Sequence, residues 1–198
     1  MQGWSIRRPS RKSYDLMLKL FHRDKTNSTI ERLYGVIVAQ ARQSSFYTDF
    51  AIPDTVEGRF ELLLLHTFLV CHRLKGQGED ARVLSQQVFD AFLDDMDRTL
   101  REMGIGDLSV PKRMKKIGRA FYGRSAAYDA ALAEGMVPLK EALARNVLER
   151  DSSAPEVARL AEYVLRACAA LRATPFERFA AGAAPFPSLL PDEAQADG

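Results

Sequence analysis

Three aspartates, Asp90, Asp94 and Asp97, stand about one helical turn apart, and carboxylates at that spacing are a candidate site for a divalent cation. Di-metal sites in helical bundles add Glu-x-x-His pairs from facing helices, and this chain has no such pair. Four residues on, Arg98 and Arg101 offer Asp94 and Asp97 ordinary solvated ion pairs. His66, Cys71 and His72 are zinc-ligand types, but no C-x-x-C accompanies them. Six residues of helix also put the two histidines on roughly opposite sides. His66 is therefore expected to be buried and hydrogen-bonded within its own helix. There is no G-x-S-x-G and no P-loop, so no activated nucleophile or phosphate cradle is in view. No catalytic residue, metal or cofactor is expected.

Charge and aromatics point instead to contact. Residues 112–124 hold Lys112, Arg113, Lys115, Lys116, Arg119 and Arg124 with no acid among them. Such a stretch can meet lipid headgroups, RNA phosphates or an acidic protein surface. The competing reading is a solvated face paired with the aspartate stripe of the preceding helix. Phe46, Tyr47 and Phe50 crowd the loop 44–52, either as a lid on the core or as a partner contact. Phe121 and Tyr122 adjoin the cations.

These side chains must be carried by helices, since no run alternates like a strand. The organising stretch is Pro53 to Leu74, apolar nearly all round through Leu62–Leu65 and Phe68–Val70. A helix without a wide polar face is buried, and Arg59, Glu61, His66, His72 and Arg73 argue against a membrane span. Before it, Ser28 and Glu31 fit a capping box opening a helix over about 28–43. After the Gly76–Gly78 break, 79–103 reads as a long amphipathic helix ended by Gly104 and Gly106. A helix over 112–121 follows, interrupted at Gly123 and resumed over 126–134. Pro138 and Pro155 start two more.

The expected fold is all-α, a single bundle of six to eight helices around a buried central helix. Residues 1–26 form a basic flexible segment, 27–174 the helical domain and 175–198 an acidic, Ala/Pro-rich tail, with disorder expected past Gly182. The chain of 198 residues carries +2 overall, a balance that selects no partner class. Its ends differ: residues 1–25 hold seven Lys/Arg against two Asp, whereas the stretch from Phe176 holds one Arg against four acids. Two cysteines, Cys71 and Cys168, in apolar helical patterns suit two thiols in a reducing compartment. The N-terminus does not read as a secretory signal. Tyr14–Phe21 suggests a short amphipathic turn.

Motifs in order carry a family likeness. Pro53-Asp54-Thr55, Gly58-Arg59-Phe60-Glu61 and His66 come first, then Phe89-Asp90 and Asp94-Asp95-Met96-Asp97. Leu100 through Gly104, Gly106-Asp107, Phe121 through Arg124 and Tyr128 follow. From about 28 to 148 the chain resembles the ubiquinol-cytochrome c chaperone family. The resemblance implies a non-catalytic chaperone that binds cytochrome b during assembly of the bc1 complex. It also implies a small partner subunit and ribosome association, as for mitochondrial members. The expected placement is cytoplasmic and peripheral at the inner membrane of a bacterium, or on the matrix side in a mitochondrion. The contact residues expected are Phe46, Tyr47, Lys112, Arg113, Lys115, Lys116, Arg119, Phe121, Tyr122 and Arg124. Asp54, Gly58, Arg59, His66, Asp94, Asp97, Arg101 and Asp107 read as motif residues with structural roles: Asp54 as a cap, Gly58 for a close helix approach, Arg59 and Asp97 in internal ion pairs. The alternatives are a helical lipid- or small-molecule-binding protein with a pocket beside the central helix, and a metal-dependent enzyme built on Asp90, Asp94 and Asp97.

Overall fold

The central helix dictates the arrangement. In the computed structural model, which describes residues 28–189, it spans Val56–Leu74, and every residue from Glu61 to Val70 is buried. The helices are α1 (28–41), α2 (Ser45–Thr48), α3 (Val56–Leu74), α4 (Glu79–Glu102), α5 (Val110–Glu134), α6 (Met136–Leu143), α7 (Pro155–Ala173) and α8 (Phe176–Ala180). A π-helical turn, Ala144–Leu148, follows α6 directly. No strand occurs among the described residues, so the fold is the all-α bundle expected. α3 packs against α4, α5, α7 and the π turn.

Local chemistry explains where α3 begins. Thr55 is extended and its hydroxyl accepts from the Gly58 amide at 3.1 Å, the usual N-cap bond. Thr55, not Asp54, is thus the cap. Glu57 in the first turn and His72 and Arg73 in the last complement the helix dipole. Gly58 is required by a contact within its own chain: a Cβ there would lie 2.0 Å from the Pro53 carbonyl oxygen. The close approach is to the preceding loop rather than to another helix.

Glycine also marks both ends of α4, where Gly78 (φ 97°) and Gly104 (φ 78°) adopt backbone that L-residues avoid. Phe89, Phe92 and Met96 are buried as expected, whereas Met103 is exposed just past the helix end. α5 is one continuous helix through Gly118 and Gly123, so the interruption expected at Gly123 is absent. A mid-helix glycine costs about 1 kcal/mol, and Phe121 and Tyr128, buried on either side of it, hold the helix together. Ser28, the first described residue, is already helical, and the start of α1 lies outside the described residues.

Packing on the core continues past 174. Phe179, Ala184 and Leu189 are buried, and the Phe186 ring lies 5.3 Å from the His66 ring, so residues 183–189 pack on the core. Arg73 fixes the end of α7 by donating to the carbonyls of Leu171 (2.8 Å) and Thr174 (2.9 Å). Its guanidinium also sits over the Phe179 ring. The expectations for residues 1–26, for Tyr14–Phe21 and for the last residues of the tail lie outside the described residues.

Candidate functional site: a cationic face beside an apolar cleft

The basic stretch becomes the N-terminal half of α5. Lys112, Arg113, Lys115, Lys116 and Arg119 point away from the core and are exposed, while Val110, Met114, Ile117 and Phe121 turn inward. None of the five forms an ion pair with a described residue, so the pairing with the aspartate stripe does not occur. Arg124 is different. It lies two turns beyond Ile117, on the inward side, and both its Nε and Nη2 donate to the Glu61 carboxylate of α3 at 2.5 Å. It is a structural tie between α5 and α3 and not part of the contact face. Burial pushes the Glu61 carboxyl above the usual range, against the lowering effect of Arg124.

Next to this face lies a cleft of about 570 Å³ beside α3, where the end of α1 and the C-terminal half of α4 meet it. Its apolar lining is Ala41, Val56, Phe60, Leu63, Met96, Leu100, Met103 and Ile117, with Arg42, Glu57, Arg59 and Asp95 as charged members. A second depression, about 700 Å³, shares Glu57, Leu100 and Ile117 with it and adds Lys112, Arg113 and Lys116. The two form one surface, apolar in the middle and cationic along the α5 side.

Other expected contact residues are placed elsewhere. Phe46 and Phe50 are fully buried, Phe46 meeting Tyr163 and His66 edge-on, so the 44–52 segment is a lid on the core. Phe121 is buried against Phe89 and Phe92. Phe46 is therefore sealed inside, while Phe121 shows only an edge to a depression between α3, α4 and α5. Tyr47 is half-buried under the Arg59 guanidinium, and Tyr122 stays exposed.

The motif residues mostly build structure. His66 is wholly buried, its Nδ1 2.7 Å from the Leu62 carbonyl and its Nε2 2.8 Å from the Tyr163 hydroxyl. A carbonyl only accepts, so Nδ1 carries the proton, Tyr163 donates to Nε2, and Gln40 donates to the Tyr163 oxygen at 3.0 Å. Burial lowers the His66 pKa to about 4, which keeps the ring neutral. Arg59 pairs with Asp54 (2.6 Å) and Arg101 with Asp97 (2.6 Å) and Asp107, all at the surface and not internally. Arg98 pairs with Asp95, not with Asp94. Asp95, buried and accepting from the Tyr34 hydroxyl at 3.0 Å, is a structural acid that the aspartate stripe concealed.

Chemistry beyond contact finds no constellation here. Among the described residues no group of three His, Cys, Asp or Glu is placed to hold a metal. Burial raises both thiols, Cys71 and Cys168, to about 11, which leaves them protonated and unreactive. His72 is held by Asp129 (2.6 Å), which also takes Lys75. No described helix is long and apolar enough to cross a membrane. Sequence reasoning missed Leu108 and Val56 as exposed apolar residues. The available signal for Leu108 was its place between Gly106 and Pro111, in a turn with no helix face to bury it.

Comparison with known proteins agrees with this architecture. A crystal structure of the Cbp3 homolog from Brucella abortus superposes with a TM-score of 0.79 at 44% identity, covering 87% of this chain and 97% of that one. The ubiquinol-cytochrome-c reductase complex assembly factor 1 of Xenopus laevis is 25% identical over 134 residues, 67% of each chain. The human protein of that name is also 25% identical, but the match covers only 45% of its length. The sequence matches the family described as Ubiquinol-cytochrome C chaperone over residues 48–186, which takes in α3, α4, α5 and the whole cationic face. This chain belongs to the ubiquinol-cytochrome c chaperone family.

Proposed function

We propose that this chain is a non-catalytic chaperone in the assembly of the ubiquinol-cytochrome c reductase complex, and that the client it holds is cytochrome b. One observation carries the reading: the family match spans nearly all of the surface just described, an apolar cleft with an unpaired cationic rim on a rigid helical frame. Such a surface suits a membrane-protein client, because apolar area supplies affinity and the charged rim supplies orientation. Val56, Phe60, Leu63, Leu100 and Met103 would receive an apolar client segment. The chaperone works peripherally on the inner membrane, on the side where cytochrome b is made, with a small partner subunit and ribosome association as further expected contacts.

The test is capture of newly made cytochrome b from cells carrying tagged protein. Val56→Asp with Met103→Asp alters two exposed cleft residues, and Asp is well tolerated at the first position of α3. Capture is expected to fall with the double variant while helicity is retained; undiminished capture would remove the cleft from the reading. A second reading, a helical lipid- or small-molecule-binding protein, is favoured by the volume of the cleft beside α3. Organic extraction of purified protein, followed by mass spectrometry, separates the two.

A further inference from the structure

The turn between α4 and α5 ends in a side chain that the fold does nothing to cover. Leu108 is 98% exposed, on a convex corner, and Met103 across the same turn is also exposed. Within three turns of helix beyond it come the five cations of α5 with no acid between them, and then Tyr122, 63% exposed. Lys115, Arg119 and Tyr122 follow one another at helical spacing along one side of α5, while Lys112, Arg113 and Lys116 line the cleft side. Glu57 is the only carboxylate among the described residues lining that cleft side, and it makes no ion pair with a described residue.

We infer that the α4–α5 corner is a membrane-docking element for anionic phospholipid: Leu108 enters the headgroup layer while Lys112, Arg113, Lys115, Lys116 and Arg119 meet the lipid phosphates. The inference deepens the peripheral placement proposed above, naming its lipid chemistry and the residue that enters. Shape and charge favour a bilayer over another macromolecule. A single protruding leucine offers a protein partner little apolar area to bury, whereas it fits between headgroups. RNA would call for several stacking aromatics among the cations, but Phe89 and Phe121 are buried and the exposed Tyr122 lies past Arg119, at the border of the basic face. A tyrosine at the border of a basic face is a common interfacial anchor. The cleft opens beside the same corner, so a protein docked this way holds its apolar cleft close to the lipid surface from which a membrane client emerges.

Flotation with vesicles of phosphatidylcholine alone, and of phosphatidylcholine mixed with phosphatidylglycerol, tests the inference on the full chain. Binding is expected only to the anionic vesicles and should weaken as salt rises. Each exposed cation near such a surface contributes about fivefold, so Lys112→Gln with Lys116→Gln should lower partition by roughly 25-fold. Leu108→Ser should lower it by about tenfold at unchanged charge. These sites are exposed, and unchanged circular dichroism verifies folding. Equal binding to both vesicle types, or an unchanged partition for Leu108→Ser, would overturn the inference. Loss of cytochrome b capture by Leu108→Ser with normal vesicle binding would also overturn it, assigning the corner to a protein contact. Normal anionic-vesicle binding that depends on Leu108, with no cytochrome b captured by any form, would support the lipid inference while removing the client.

Discussion

Removing Arg124 tests how α5 is fastened to α3. Its two nitrogens reach the two oxygens of Glu61 at 2.5 Å, and the paired side chains are only 27% and 11% exposed. With Arg124→Met the carboxylate stays in a buried position without a counter-charge, and breaking a fully buried pair from one side costs 3–5 kcal/mol. Because Arg124 retains some solvent contact, about 2–3 kcal/mol is expected here. Urea unfolding followed by circular dichroism at neutral pH measures it. The cost should depend on pH with a definite sign. Burial already raises the Glu61 carboxyl above its unfolded value, so the folded state holds that proton more tightly than the unfolded state. The stability this group contributes is therefore present at low pH and lost as pH rises through its folded value. Without Arg124 that value rises further. The gap between Arg124→Met and the unaltered protein should be small in acid and widen toward neutrality. Replacing both partners, Glu61→Leu with Arg124→Met, should recover most of the loss, since an apolar pair leaves no stranded charge. A single variant within about 0.5 kcal/mol of the unaltered protein, or a double variant no better than the single, would refute the argument.

Gly58→Ala should destabilise by about 2–3 kcal/mol, because the methyl meets the Pro53 carbonyl at 2.0 Å and backbone must shift. A thermal melt should show Tm lowered by roughly 5–10 °C. His66 has a folded pKa of about 4, below its unfolded value of 6.5, so its contribution is complete above the unfolded value and lost as pH falls through about 4. NMR titration of the ring should show Nε2 unprotonated at neutral pH; a titration midpoint near the unfolded value would contradict the buried chain from Leu62 to Gln40.

The buried pillar was legible because its apolar run is long and nearly continuous. The turns at Gly76–Gly78 and Gly104–Gly106 were legible because glycine breaks periodicity. What misled was residue type without register. Arg124 was grouped with five other cations by proximity in sequence, although it lies two helical turns past Ile117 and so shares its inward side. Asp95 stands three residues after Phe92 and turns inward for the same reason, but its partner Tyr34 is 61 residues away and has no local signature. Phe46 and Phe50 sit in a segment with loop-like composition. Only the presence of Tyr163 and His66 beneath them makes it a lid. The exposed apolar corner was invisible because exposure is a property of the finished packing.

His66 meets Tyr163 across 97 positions of chain, and Arg73 meets Leu171 across 98. A helix whose walls arrive so late is complete in outline long before it is enclosed. During synthesis, α3 leaves the ribosome with its leucines bare and must wait for α7 and for Phe186, close to the end of the described chain, before it is sealed. A member of a family of assembly chaperones thus passes through its own interval of exposure, and truncation before α7 should yield aggregates rather than a smaller working domain.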